Sequence, residues 1–227
     1  MSTESTASST ASSAAPVAVT FARPEESRAF RRKLDRAQKG KCGALTAWRG
    51  SIGKISITVI HTGIGPASAE RAVRELLAHE KPRRVISAGF AGGLDPALRA
   101  ADTITADFPT PLIFSKAIPL ETPEEKIAAF RETGARIVDM ETDVLGAACA
   151  RAGVPLSSIR AVSDTADESL PVPFAVWFDT ARQRARPFAL VAHLLRHPSH
   201  LAPFARFVLR LPRIAGALAR AIVAALP

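Results

Sequence analysis

Cysteine is scarce: Cys42 and Cys149 are the two in 227 residues, far apart and without CxxC spacing, which excludes a disulfide framework. A positively charged start followed by an apolar run, the mark of secretion, is also missing. The chain therefore reads as cytoplasmic, with reduced thiols. Acidic residues vanish after Asp179, whereas eight arginines lie between Arg182 and Arg220. The formal charge of +9 and the pI near 10.5 thus belong to one tail, and the body is nearly neutral. A basic tail on a neutral body argues against nucleic acid as a partner. With 47% hydrophobic and 22% charged residues, the composition excludes collagen, coiled coil and wholesale disorder.

What is present begins with a stretch that should not fold. Residues 1–16, almost all Ser, Thr and Ala, offer too little apolar surface to offset their ordering entropy and form an expected disordered tail. From there the pattern is β then α. Val17 to Phe21 reads as a buried strand, and Pro24 opens a helix over Glu25 to Leu34. Ala44 to Trp48 and Ile55 to Ile60 read as a hairpin around Arg49-Gly50-Ser51. Ala67 to His79 has helical spacing and Arg84 to Ala88 returns as a strand, a βαβ unit that predicts parallel pairing. Thr103 to Ala106 and Leu112 to Phe114 are further short strands. Thr122, Pro123 and Glu125 make a capping box at a helix start. Arg136 to Val138 leads into a helix from Glu141 to Ala152, and Ser158 to Val162 is the last core strand.

Ligands of open α/β sheets sit beyond the carboxyl ends of strands, and four such places carry polar or glycine residues. Gly63-Ile64-Gly65 can bring backbone amides to a ligand or can be an ordinary βα turn. Ser87 to Leu94 contains three glycines in five positions, suited to close packing against a ligand or a neighbouring strand. It is not GxGxxG, so a nicotinamide cofactor is a poor reading. Val138-Asp139-Met140-Glu141 puts a carboxylate where a helix begins, favourable in itself. Arg160-Ala161-Val162-Ser163-Asp164-Thr165-Ala166-Asp167 is a strand that delivers two carboxylates three residues apart, either of which helix capping could also explain.

In order, HTGIGPASAERAVRELLAHEKPRRVISAGFAGGLDPALRAADTI (His61 to Ile104) and TGARIVDMETDVLGAACARAGVPLSSIRAVSDTAD (Thr133 to Asp167) resemble the nucleoside phosphorylase superfamily. The resemblance is greatest to 5′-methylthioadenosine/S-adenosylhomocysteine nucleosidases and hopanoid-associated nucleosidases. It implies a three-layer α/β/α nucleoside phosphorylase-like fold with a mixed central sheet over residues 17–180, and a homodimer is the family's expectation. It implies scission of the N-glycosidic bond of an adenosine derivative, with no cofactor and no metal. Asp164 matches the acid that protonates the departing base, which would need burial or a neighbouring carboxylate to hold its proton. Asp167 then supports or caps. Glu26 matches the residue that activates water, with Glu25 one position away as the alternative. Glu141 matches the carboxylate on the ribose hydroxyls and Met140 the side chain packed on the sugar. Gly65 and Gly89 to Phe90 would lie near the nucleophile, and Val162 to Ser163 would enclose the base.

Two departures bear on the reaction. Ala88 and Phe90 stand where phosphorylases place an arginine and a serine, which favours water over phosphate, although Phe90 also replaces a serine of the nucleosidases. Arg23 could also reach an anion, although an exposed arginine after a strand is more often merely solvated. The segment from Asp107 to Thr122 is shorter than in relatives, where it helps build the purine pocket. Phosphorolysis and a catalytically silent nucleoside- or lipid-binding relative are the alternatives.

Residues 181–227 form a basic amphipathic helical extension, broken at Pro198 and expected to kink at Pro212. Arg206, Arg210, Arg213 and Arg220 lie on one helical face, with apolar residues over the rest. Four arginines are too costly for a spanning helix. The two readings are a helix lying on an anionic lipid surface and a helix packed on the body or on a second subunit. The tail also resembles the arginine-rich extension of hopanoid-associated nucleosidases, whose substrate carries adenosine on a triterpene lipid. His193, His197 and His200 lack the HExxH spacing and a nearby acid, so a metal is a poor reading.

Overall fold

A computed structural model describes residues 15–227; most of the Ser/Thr/Ala-rich segment lies outside the described residues. The chain runs β1 (Val17–Phe21), α1 (Pro24–Arg31), β2 (Asp35–Cys42), β3 (Leu45–Ile52), β4 (Ile55–His61), α2 (Pro66–His79), β5 (Arg84–Gly93), β6 (Thr103–Asp107) and β7 (Ile113–Ser115). It continues α3 (Pro123–Thr133), β8 (Ile137–Asp139), α4 (Thr142–Arg151), β9 (Leu156–Asp164), α5 (Phe174–Trp177), β10 (Phe178–Asp179), β11 (Arg184–Ala185), α6 (Pro187–Arg196) and α7 (Leu201–Ala224).

Among the described residues, nine strands form one mixed sheet. Its order is β2-β3-β4-β1-β5-β8-β7, with β9 also beside β5 and β6 beyond β9. The parallel centre is β4, β1, β5 and β9, as the βαβ pattern predicts. Both sides are covered. One face packs Val19, Phe21, Ile86 and Ile159 against Phe30 of α1 and Ile214, Leu218 and Ile222 of α7. The other packs Ala18, Ile60 and Val85 against Val73 and Leu76 of α2 and Leu145 and Cys149 of α4. This is the expected three-layer α/β/α arrangement, and the second half of α7 is part of it.

Three local expectations change. The β3–β4 hairpin turns at Gly53-Lys54, where Gly53 has φ +58°, and Arg49 to Ser51 lie within β3, paired to β4. The antiparallel strand β2 before it has almost wholly exposed side chains, so it lacks the apolar alternation that marks a strand. The third change is that β5 does not stop at Ala88 but continues through the glycines to Gly93. There it pairs with β9 on one side and, at Gly92 and Gly93, with β8 on the other. A Cβ at Gly92 would meet Val138 Cγ1 at 3.1 Å, and one at Gly93 the carbonyl of Asp164 at 3.2 Å. These two glycines serve the neighbouring strands.

The capping box holds: Thr122 Oγ1 accepts from the Glu125 N–H at 3.3 Å, and Glu125 accepts from the Thr122 N–H at 3.1 Å. A 3-10 turn at Pro198–His200 separates α6 from α7, and α7 runs through Pro212 as one helix.

Because Leu218 is fully buried between α7 and the sheet, Leu218→Ala is expected to cost about 2–5 kcal/mol, read by equilibrium urea unfolding. The exposed Arg220→Ala should stay within about 0.5 kcal/mol of the parent. A Leu218→Ala loss no larger than that of Arg220→Ala would remove α7 from the core.

Candidate active site

Glu26 lies in the first turn of α1, where Pro24 fixes the helix start directly after β1. Its two carboxylate oxygens are held by main-chain donors: Oε2 by the Arg23 N–H at 3.0 Å and Oε1 by the Phe90 N–H at 3.1 Å. Burial raises its carboxyl above the usual range, partly opposed by these N–H groups and by Arg160. Glu25 points away and is gripped by the Arg23 guanidinium, two contacts of 3.1 Å that hold its carboxyl low. Of the two adjacent acids, Glu26 is therefore the one inside. Arg23 is committed to Glu25 and to the faces of Trp177 and Phe178, 5.4 and 5.5 Å from the ring centres.

Glu141 immediately precedes α4. Its Oε1 accepts from the Gly65 N–H at 2.8 Å, across the start of α2. Gly65 has φ +88°, which aims that amide, and a Cβ there would come 3.9 Å from Met140 Cε. Glu141 opens onto a cavity but is otherwise enclosed; this desolvation, reinforced by the charge of Asp139, pushes its carboxyl up to about 7.

Glu26, Glu141, Gly89, Phe90 and Arg160 share the wall of that cavity. Its volume, about 20 Å³, suits one water molecule and not a nucleoside. Gly89 brings its backbone close to the carboxylate, since a Cβ there would stand 3.4 Å from Glu26 Oε1. Arg160 is buried and fully engaged. It donates to Asp139 Oδ2 at 2.9 and 2.7 Å and to the Ser87 carbonyl and hydroxyl at 2.7 and 2.8 Å. Arg160 and Asp139 fall within two of the segments that the sequence marks, but nothing in their spacing signals that they pair with each other.

Asp164 is buried at the end of β9 but does not line this cavity. It pairs in register with Gly92, whereas Phe90 pairs with Ala161, so Asp164 lies two residues, roughly 7 Å, farther along the sheet than Phe90. Only two of the three matched acids thus converge on the small cavity. Burial is as expected for Asp164, but its charged neighbour is a cation, not a second carboxylate. The wholly buried Lys126 of α3 donates to Asp164 Oδ2 at 2.6 Å, and to the carbonyls of Thr165 and Glu168 at 2.9 and 2.6 Å. The Ser163 hydroxyl donates to Asp164 Oδ1 at 2.6 Å. Val162 packs in the core with Ala91, Ile104 and Ile137 and does not line this cavity. Asp167 accepts from the Thr165 hydroxyl at 2.5 Å, a local turn contact consistent with a supporting role.

Elsewhere, His193, His197 and His200 stack with ring centres 4.5 to 5.5 Å apart, and no group among the described residues is arranged to hold a metal ion.

The family model described as Phosphorylase superfamily matches residues 16–108 and 111–196. Among solved structures, 5′-methylthioadenosine/S-adenosylhomocysteine nucleosidase from Neisseria meningitidis is 21% identical, with TM-score 0.60 over 67% of this chain and 87% of that one. The corresponding Helicobacter pylori nucleosidase is 17% identical, with TM-score 0.67 over 92% and 97%. Futalosine hydrolase from the same organism is 17% identical, with TM-score 0.65 over 91% and 94%. At such identities the likeness is one of fold.

Two expectations follow from the buried charges. Between pH 4.5 and about 7 the folded chain keeps a proton on Glu141 that the unfolded chain has released. Stability should therefore fall by roughly 3 kcal/mol as pH rises through that window, and level off above it. The measurement is the difference between the parent and Glu141→Gln in urea unfolding at each pH. His61, held down to about 4 by burial, contributes the opposite slope to both proteins and cancels. Equal pH dependence in the two would refute the assignment. Separately, Lys126→Met strands the Asp164 carboxylate and should cost about 3–5 kcal/mol in the same assay at pH 7; a loss below about 1 kcal/mol would show that the pair is not buried.

Proposed function

The chain belongs to the phosphorylase superfamily, and from that premise we propose that it is a hydrolase cleaving the N-glycosidic bond of an adenosine derivative, with water as nucleophile. The observation that carries the proposal is Glu26: a buried carboxylate, aimed by two main-chain N–H groups, on the wall of a water-sized cavity that also receives Glu141.

Water attacks the anomeric carbon as the bond to the purine breaks, through a sugar cation of oxocarbenium character. Glu26 takes the proton of the attacking water. Glu141, already holding the Gly65 amide, accepts from the ribose hydroxyls and Met140 packs on the sugar. The bonding electrons leave with the base, whose ring nitrogen receives a proton through Asp164. The Lys126 ammonium at 2.6 Å fixes the orientation of that carboxyl. Nucleophile and leaving base must occupy opposite sides of the anomeric carbon, so a separation between the Glu26 cavity and Asp164 is what this chemistry needs.

Phosphate is disfavoured for two reasons. The Phe90 N–H, the donor that an anion would use, is occupied by the Glu26 carboxylate, which would repel the anion. The arginine in the wall, Arg160, spends its donors on Asp139 and Ser87. The solved structures similar in fold include a nucleosidase with 5′-methylthioadenosine in its active site, and that nucleoside is the first substrate to assay, beside adenosylhomocysteine and an adenosylated lipid.

Adenine should be released in phosphate-free buffer with a free sugar as co-product. Glu26→Gln and Asp164→Asn should each lower turnover by at least ~100-fold while remaining folded. A requirement for phosphate with formation of ribose 1-phosphate, or full activity of Glu26→Gln, would overturn the proposal.

A further inference from the structure

The C-terminal helices carry an apolar surface that the body covers only in part. Leu201, Val208, Ala215 and Ile222 recur every seventh residue of α7 and so lie along one stripe. Their exposures are 48%, 42%, 7% and 0%. The stripe is sealed against the sheet in the second half of α7 and runs out beyond the body in the first half. No residue of α6 is buried. Its Phe188, Val191 and Leu195, at helical spacings of three and four, form a second apolar face, and Phe188 and Leu195 are 89% and 77% exposed, as is Leu209 of α7 at 77%.

The charge around this surface has one sign. Arg184, Arg186, Arg196, Arg206 and Arg213 are exposed, and among the described residues none of them has a carboxylate within ion-pair distance. The sequence beyond Asp179 holds no acid at all. Arg210 is the exception on α7, drawn to Glu168 of the body at 2.6 Å.

We propose that α6 and the first half of α7 seat the protein on an anionic lipid surface, with the apolar side chains entering the headgroup boundary and the arginines on lipid phosphates. No helix among the described residues is long and apolar enough to cross a membrane, so the contact is peripheral. A second copy of this chain fits less well, because a two-fold contact through this face would set arginines against arginines with no acid on either side. Nucleic acid would neutralise the arginines but leaves Phe188, Leu195 and Leu209 without reward, since such interfaces are strongly polar. The inference does not rest on the catalytic proposal.

The test is sedimentation of the full chain with vesicles of phosphatidylcholine alone and of phosphatidylcholine with phosphatidylglycerol, at low and high salt. The protein should pellet with the anionic vesicles, less so at high salt, and remain in solution with the neutral ones. Two triple variants on exposed positions separate the contributions: F188S/L195S/L209S keeps every charge, and R196E/R206E/R213E keeps every apolar side chain. Each should lower partitioning at least about tenfold, with circular dichroism and adenine release unchanged. Three outcomes overturn the proposal. One is parent-like pelleting of F188S/L195S/L209S. Another is equal pelleting with both vesicle types. The third is absence of vesicle binding, whether or not sedimentation velocity shows self-association or single-stranded RNA binds.

Discussion

The buried pair between Arg160 and Asp139 is the interaction on which the site depends. Arg160 comes from β9, Asp139 from β8 and the Ser87 acceptors from β5, so one guanidinium ties three strands of the sheet together. Taking both charges out of water is costly, and the cost is offset because the donors of one meet the acceptors of the other, with the Thr142 hydroxyl adding a 2.5 Å bond to Asp139. Its consequences are electrostatic as well. Arg160 lowers the carboxyls of both Glu26 and Glu141 against the burial that raises them, whereas Asp139 raises that of Glu141. The two site carboxylates are therefore tuned by a pair that touches neither of them by hydrogen bond.

A second buried pair, Lys126 with Asp164, lies farther along the sheet. It joins α3 to β9 and to the turn after it, through the Thr165 and Glu168 carbonyls. Glu168 in turn meets Arg210 of α7. The helix that completes the sheet's outer layer is thus connected by polar contacts, as well as by packing, to the turn beside Asp164.

Much of this was legible in the sequence where local chemistry and global role agree. The capping box at Thr122, the βαβ unit and the strand-to-helix position of Glu141 each follow from residue type and spacing. Legibility failed where a residue's role is set by something distant in the chain. Lys126 on an amphipathic helix looks like a solvated lysine until Asp164 is brought to it. β2 is polar because it is an edge strand whose side chains are almost wholly exposed. The glycines of β5 announced a close approach but not whether ligand or strand was approaching, and Gly92 and Gly93 turned out to serve strands while Gly89 serves Glu26. The periodicity of α7 showed an apolar face; only the fold shows that half of it is spent on the core.

Glu26 owes its orientation to amides, not to side chains. The donor at position 90 belongs to the peptide unit, so it survives any exchange of the residue that carries it, proline excepted. That accounts for how the Phe90 ring can stand on this wall without disturbing the grip on the carboxylate. Exchange of the side chain at position 90 can reshape this wall while leaving the Glu26 carboxylate in register.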